Sequence, residues 1–365
     1  MNTVSSNQHV PNETAEPREL HTHRSLKVAH LAVKSCRKSH LARGRERHAI
    51  KKLTKKLAPG ETLRPMDELV DQNWFLWLWT WLVATLGTLT KVTLPKHTAA
   101  PNNAIYTIPD DIRIGVAADW GSGTIDAMRV AEGMRAQMLD MTIHMGDVYF
   151  VGAREEYSQI FFGIPPGVQG SWPRGSRTTT SNATALPTYA MCGNHEMMSG
   201  GYAFYKDTLA ALGQHTSFFV VENAHWRIVA LDTGYRTPRT ILTTVIFDKW
   251  LHVANTLPKK NVAWLRDVVF KDPNDKRQVI FLSHHQPFSA YEEQYPLLVK
   301  QLAPWLDKAP LWFWGHEHRL VLYDKVTTQD CTIRGRCIGH AGMPDDMQFT
   351  PTKPEWASAV AMTQK

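Results

Sequence analysis

The sequence is poor in cysteine, and its cysteines are not grouped. Only four occur among 365 residues, and they are Cys36, Cys192, Cys331 and Cys337. They show neither the CxxC spacing of a structural zinc site nor the density of a disulfide-stapled domain. The first 20 residues also lack the apolar segment of a secretory signal. We therefore predict a cytoplasmic protein with no cleavable signal peptide.

Most of the chain lacks an excess of positive charge. The formal net charge is +7, but residues 18–65 alone hold 14 Lys/Arg against 3 Asp/Glu. A nearly neutral body offers no electrostatic surface for a polyanion, so we do not expect nucleic acid as a partner. The basic segment is either a solvated helix or a contact for an anionic membrane surface.

A long apolar run is also missing. The best candidate, Trp74 to Thr90, has 17 uncharged residues, four of them threonine, where a membrane span needs about 20 apolar residues. Its tryptophans are concentrated in the first half, as in a helix that lies at the headgroup level. A helix packed on the rest of the protein explains the same pattern. Membrane association through residues 24–90 is therefore one of two interpretations.

The composition divides the chain into four segments. Residues 1–20 are polar and predict a disordered tail, residues 21–100 predict a basic and Trp-rich helical region, and residues 351–365 predict a C-terminal tail. Between them, short apolar strands alternate with helices. This alternation predicts a layered α/β catalytic domain over residues 111–350.

Side chains suited to metal binding recur directly after apolar strands. The segments VAADWG, IHMGD, YAMCGNH, IFLSHH and WFWGHEH supply Asp119, Asp147, Asn194, His195, His284, His285, His316 and His318. Strand ends meet at one edge of a sheet, so we expect these side chains to cluster. Carboxylate, amide and imidazole ligands together suit Mn, Zn or Fe. The i, i+2 spacing of the two histidines in GHEH points both rings to one side of an extended segment.

The order DxG, GD, GNHE, HH and GHEH resembles the calcineurin-like metallophosphoesterase superfamily over residues 111 to about 345. The DWG motif is similar to the purple acid phosphatase branch, because most other members have DxH. The resemblance implies a four-layer α/β/β/α sandwich of two mixed sheets flanked by helices, here with an N-terminal helical appendage. It also implies a hydrolase of phosphate esters in which a metal-bridging hydroxide attacks at a binuclear site.

The resemblance further implies a role for each matching residue. Asp119 and His318 correspond to ligands of metal one, and Asp147 corresponds to the carboxylate that bridges both metals. Asn194 and His316 correspond to ligands of metal two. Both metals are expected to be divalent ions of Mn, Zn or Fe.

The third ligand of metal two comes from the histidine pair. It is His284 if the first member of HH is used, whereas the pattern H-x-P selects His285. One departure from the family pattern concerns the tyrosine of the GDxxY motif, which binds Fe(III) in purple acid phosphatases. Phe150 stands at that position, and we expect the neighbouring Tyr149 to turn its side chain away. An Fe(III)-tyrosinate is therefore not expected.

His195 is the predicted proton donor to the leaving oxygen, with Glu196 predicted to orient its ring. Further predicted phosphate contacts are His285, Arg319 and His340. The expected substrate is a phosphorylated small molecule or another phosphoester. A competing hypothesis is a membrane-associated scaffold or binding protein whose phosphoesterase domain is inactive.

Overall fold

The computed structural model describes residues 104–343 and 360–361. Within the first range it does not describe residues 124, 150, 164–170, 175–186, 238–254, 293, 310 and 328–331. The predicted N-terminal tail, the basic and Trp-rich region, and Phe150 therefore lie outside the described residues. Within the described ranges, no helix combines the length and apolarity that crossing a membrane requires.

The described part of the chain contains eleven strands. They are β1 Ile105–Thr107, β2 Ile114–Ala117, β3 Met141–His144, β4 Thr188–Ala190, β5 Phe219–Glu222, β6 Trp226–Ala230, β7 Gln278–Ser283, β8 Leu311–Trp314, β9 Leu320–Thr327, β10 Thr332–Ile338 and β11 Val360–Ala361. They form one sheet in the order β1-β5-β6-β7-β8-β10-β9-β11 and a second in the order β2-β3-β4. The predicted α/β class with two sheets is confirmed.

The helices are short, and four of them change winding along their length. They are α1 Ile125–Arg135, α2 Arg154–Glu156 with a π-helical continuation over Tyr157–Phe161, α3 Asn194–Met198, α4 Leu209–Leu212 preceded by a π-helical segment over Ala203–Thr208, α5 Lys259–Trp264 continued as π-helix over Leu265–Val269, and α6 Pro296–Leu302 followed by a 3-10 turn over Ala303–Lys308. Pro296 begins α6 at a position where no backbone N–H is needed.

Parallel strands occupy the centre of both sheets. In the smaller sheet β3 pairs in parallel with β2 and β4, and in the larger one β7 pairs in parallel with β6 and β8. Parallel strands are covered on both faces and therefore read as apolar runs. Accordingly all four residues of β3, MTIH, are buried. The carboxyl ends of these strands are the usual position of sites in α/β folds.

Apolar runs in the sequence predict strands over residues 278–283, 311–314 and 332–338, and the structure forms β7, β8 and β10 over the same residues. Two strands were not predicted. Ile105–Thr107 pairs in parallel with β5, and Val360–Ala361 pairs with β9. The first lies before residue 111 and the second after residue 350, so the paired backbone extends beyond the predicted limits of the catalytic domain on both sides.

Candidate metal centre

The predicted ligands lie in the segments that directly follow β2, β3, β4, β7 and β8, and Asn194 is the first residue of α3. Four of them have backbone in the left-handed region, with φ of 59° at Asp119, 67° at Asp147, 70° at His316 and 48° at His318. Such a conformation costs of order 1–3 kcal/mol in a non-glycine residue and persists where surrounding contacts impose it. Its concentration at the predicted ligands indicates a functional site.

Two glycines allow the ligand loops to approach each other closely. A Cβ at Gly193 would lie 2.1 Å from Asp147 Oδ1, and a Cβ at Gly315 would lie 2.5 Å from Asp119 Oδ2. Both distances are far below contact, so a side chain at either position would displace a predicted ligand. The GNH turn can therefore fold against the GD turn only with glycine at position 193.

His284 faces two oxygen atoms of other predicted ligands. Its Nε2 lies 2.9 Å from Asn194 Oδ1 and 3.3 Å from Asp147 Oδ2. Its Nδ1 lies 3.0 Å from the carbonyl of Met145, which can only accept, so Nδ1 carries the proton. This arrangement directs Nε2 at the oxygens, and Nε2 is the atom left to bind a metal when Nδ1 is held in this way, as is usual for metal-ligating histidines.

His285, the alternative to His284, is engaged elsewhere. Its Nδ1 and its backbone N both lie 3.1 Å from Thr233 Oγ1. Its ring centroid is 4.7 Å from that of His316, and His284, His285 and His316 can bring ligand nitrogens within 4.8 Å of one another. Of the two histidines, only His284 also groups with Asp119 and Asp147 in this way. The geometry therefore favours His284 as the ligand.

Tyr149 lies at the centre of the other predicted ligands. Its hydroxyl is 2.8 Å from Asp119 Oδ1, 3.2 Å from Asp147 Oδ2 and 2.9 Å from His318 Nε2. The prediction that this side chain turns away is wrong. It relied on the alternation of an extended strand, but β3 ends at His144 and the left-handed backbone at Asp147 interrupts that alternation. Phe150 itself is outside the described residues.

Asp147 contacts both groups of ligands. Besides its contacts with Tyr149 and His284, its Oδ1 accepts the backbone N–H of His195 at 2.9 Å. The side-chain Nε2 of His195 lies 3.8 Å from Asp147 Oδ2, and its ring packs against Tyr149 at 4.5 Å between centroids. His195 is therefore at the edge of the cluster, where a proton donor could reach a bound ester.

Glu196 is buried and binds four donors. Its Oε1 accepts from Val148 N at 2.8 Å and Tyr157 OH at 2.9 Å, and its Oε2 accepts from Gly193 N at 2.7 Å and Asp147 N at 3.2 Å. A carboxylate has about four acceptor positions. These contacts favour a role in holding the GD and GNH turns together over the predicted orientation of the His195 ring.

Two predicted phosphate contacts lie at the periphery. The guanidinium of Arg319 donates from Nε to the carbonyl of Glu317 at 2.9 Å and stacks over Tyr291 at 4.6 Å. His340 is exposed and follows Gly339, where a Cβ would lie 2.9 Å from Asp119 Oδ2. His340 is therefore at the rim of the site, whereas Arg319 is already engaged by the protein. Substrate binding by either residue stays a prediction.

Burial determines which imidazoles are neutral. It lowers the pKa of His316 to about 3 and that of His318 to about 4, which leaves both able to donate a lone pair to a metal. Burial also lowers the pKa of His284, but the charge and hydrogen bond of Asp147 outweigh this effect and raise it to about 9.

The pKa values of the two carboxyl groups are also shifted in opposite directions. Burial raises the pKa of Asp119 to about 7. Burial alone would raise the pKa of Asp147 too, but charges on His284 and His195 outweigh it and hold that pKa well below its usual range. The metal-free cluster thus holds one carboxylate charge next to a proton on His284.

These residues fit divalent metal ions. Asn194 Oδ1 and Asp147 Oδ2 converge on His284 Nε2, and neutral His316 and His318 adjoin the two carboxylates. Such a set of acceptors is stable only around a cation or a proton. Ligand atoms of Asp119, Asp147 and His284 lie within 4.8 Å of one another. A borderline divalent ion suits this mixture of nitrogen and oxygen atoms.

The family of the chain follows from its match to a family model. The family model described as calcineurin-like phosphoesterase matches residues 112–320, which is more than half of the chain. Among solved structures, the chain is similar to a dimetal phosphatase from Danio rerio, with 11% identity, a TM-score of 0.39, and coverage of 62% of this chain and 87% of that one. No curated protein matches the sequence. The chain therefore belongs to the calcineurin-like phosphoesterase family, metal-dependent hydrolases that act on phosphoester bonds.

Proposed function

We propose that the chain hydrolyses phosphate esters with two divalent metal ions held in a binuclear site. Asp119 and His318 would hold metal one, and Asp147 would contribute to both sites. Metal two would be held by the remaining predicted ligands, which are Asn194, His284 and His316. The observation that carries the proposal is the convergence of Asn194 Oδ1 and Asp147 Oδ2 on Nε2 of His284.

When bound, such a metal pair activates a water for attack and neutralises charge on the phosphoryl oxygens. The protein must then supply a proton for the leaving alkoxide. His195 is the proposed donor, and the position of its ring at the edge of the cluster, with Nε2 3.8 Å from Asp147 Oδ2, supports this role. Membership of the purple acid phosphatase branch, which rests on the DWG motif, stays a prediction.

The identity of the metals also stays a prediction. Mn, Zn and Fe all accept this mixture of imidazole, carboxylate and amide ligands. Burial and the neighbouring carboxylates raise the pKa of Tyr149 well above its ordinary value. With divalent ions we therefore propose that Tyr149 remains a neutral phenol that donates a hydrogen bond within the ligand set.

The experiment is hydrolysis of p-nitrophenyl phosphate and bis-p-nitrophenyl phosphate by metal-stripped protein refilled with Mn, Zn or Fe. Asp147→Asn is the control, because it removes the carboxylate that contacts both groups of ligands. Activity that requires metal and is lost in the control supports the proposal, and the preferred ester indicates the substrate class. Inactivity on both esters with every metal would reject it and would favour the scaffold hypothesis.

A further inference from the structure

A buried carboxylate lies between the two histidines of the GHEH turn. Glu317 has no exposed surface, and its side chain is directed into the protein interior. Its Oε1 accepts a hydrogen bond from Trp314 Nε1 at 2.7 Å, and its Oε2 accepts one from Ser289 Oγ at 2.6 Å. The turn is thus anchored through Glu317 on one side and carries His316 and His318 on the other.

The partners of Glu317 require an acceptor at both of its oxygens. Ser289 Oγ already accepts the backbone N–H groups of Tyr291 and Glu292, each at 2.9 Å. Its lone pairs are therefore occupied, and its single hydrogen is left for donation. The indole nitrogen of Trp314 can only donate. A carboxylate satisfies both partners, whereas an amide would present N–H groups to one of them.

The turn needs such an anchor because its backbone is strained. His316 and His318 flank Glu317 and have φ of 70° and 48°, each at a cost of about 1–3 kcal/mol. The main chain contributes further contacts, from His316 N to Asp119 Oδ2 at 2.8 Å and from Gly315 N to the His284 carbonyl at 3.0 Å. Glu317 adds a side-chain connection to the segment that follows His284, through Ser289.

We infer that Glu317 is a positioning residue whose buried carboxylate holds the His316–His318 turn in the conformation that delivers both imidazoles to the metal centre. This inference rests on the proposed function, since it assigns Glu317 a part in holding the metals. Glu317 would act through the backbone of its two neighbours and through Ser289, without touching the metal or the substrate. Residues that support metal ligands in this way typically change metal affinity 10- to 100-fold when replaced.

The first test is Glu317→Gln, which keeps the size of the side chain and removes one acceptor. We expect its affinity for Mn²⁺, measured by equilibrium dialysis of full-length metal-stripped protein, to fall about 10- to 100-fold. The dependence of p-nitrophenyl phosphate hydrolysis on Mn²⁺ concentration should shift to the same extent. Excess Mn²⁺ should restore most of the activity, which it would not do if the variant were merely unfolded.

A second variant, Ser289→Ala, removes one donor to Glu317 and keeps the carboxylate. It should also weaken Mn²⁺ binding. The double variant should lose less Mn²⁺ affinity than the product of the two single-variant losses, because both changes break the same hydrogen bond between Ser289 and Glu317. Leu298→Ala is the matched control for destabilisation. Leu298 is buried in α6 and supplies no ligand, so its replacement should lower the melting temperature and leave Mn²⁺ affinity unchanged.

The possible outcomes distinguish failure of this inference from failure of the proposed function. If the wild type binds metal and both Glu317→Gln and Ser289→Ala bind it equally well, the positioning role alone is overturned. A comparable loss of affinity in Leu298→Ala would also overturn it, because general destabilisation would then explain the result. Wild-type protein that neither binds metal nor hydrolyses esters would overturn the proposed function and this inference together.

Discussion

In one half of the candidate metal centre a phenol lies among three acceptors, whereas the residues that form the other half contain no hydroxyl. The Tyr149 half consists of Asp119, Tyr149 and His318, and the Tyr149 hydroxyl contacts both of the other residues. The His284 half consists of Asn194, His284 and His316, where an imidazole nitrogen faces an amide oxygen. Asp147 adjoins both halves.

From this difference we infer that the two halves depend unequally on a bound cation. The phenol of Tyr149 can satisfy an acceptor of its half with its own hydrogen. The His284 half holds a proton only because the charge of Asp147 raises the pKa of His284 to about 9. We therefore expect the His284 half to be the more sensitive to ligand replacement and to pH.

The greatest loss is expected for His284→Ala. Among the described residues, His284 is the only one whose ligand atom lies within 4.8 Å of those of Asp119 and Asp147 in one candidate group and of those of His285 and His316 in another. Loss of several kcal/mol of charge stabilisation corresponds to a decrease in kcat/KM of about a thousandfold. Metal analysis of the purified variant should find one ion in place of two. If His318→Ala proved more damaging than His284→Ala, the inequality of the two halves would be reversed.

Glu196→Gln should weaken both halves together. Its carboxylate accepts from the backbone of Asp147 and Gly193, and the amide would present a donor to N–H groups. Metal affinity should fall about 10- to 100-fold, and one unsatisfied buried group should destabilise the fold by about 1–3 kcal/mol. Isothermal titration with Zn²⁺ measures the first effect and thermal unfolding the second. A variant that loses activity but keeps its metal affinity and thermal stability would instead support the prediction that Glu196 orients the His195 ring.

The metal-free protein is expected to lose stability as the pH rises from about 6.5 to 9. The raised pKa of His284 means that the folded state keeps a proton that the unfolded chain loses above pH 6.5, so this stabilisation disappears as pH passes 9. Asp119, with a pKa of about 7, acts in the same direction at the lower end of this range.

The melting temperature of the metal-free protein should therefore fall by about 5–10 °C across this range, because a pKa difference of about 2 units corresponds to roughly 2.7 kcal/mol and each kcal/mol to roughly 2–4 °C. Differential scanning calorimetry at pH 6.5, 7.5 and 9 measures it. His284→Ala serves as the control and should show a smaller slope. A melting temperature that rises over the same range would contradict the assigned proton on His284.

Tyr149→Phe should have the smallest effect. The phenol donates one hydrogen bond within its half, and loss of such a bond corresponds to about 0.5–1.5 kcal/mol, or roughly a tenfold change at most. Protein loaded with Mn or Zn should be colourless in the visible range. The expectation fails if iron-loaded wild type shows a visible absorption band that Tyr149→Phe lacks, because Tyr149 would then be a ligand.

The sequence was sufficient to predict the α/β class, the alternation of strands and helices, and the loops that carry the candidate ligands. Those loops follow apolar strands whose parallel pairing brings their ends together. Asp119 and Asp147 could be placed in this way because each comes a few residues after a short apolar run. The choice between His284 and His285 needed coordinates, since it depends on which ring faces Asn194.

Other features could not be predicted because they depend on local backbone conformation or on distant partners. The direction of Tyr149 follows from the turn at Asp147 and not from strand alternation. Glu317 looks like a spacer in GHEH, although its position between two candidate ligands was an available signal. Its partner Ser289 lies 28 positions away in sequence. The short strand β1 is only three residues long, too brief to show a pattern.

The left-handed backbone at the candidate ligands has a practical consequence for capturing a bound ester. At φ of 59° and 67°, Asp119 and Asp147 occupy a conformation that asparagine adopts far more readily than alanine or a β-branched residue. Exchange of either aspartate for asparagine removes a charge while keeping the loop in place, whereas exchange for valine would force the loop to rearrange. Asparagine variants are therefore the natural choice for trapping an intact substrate in the crystal or on an affinity resin.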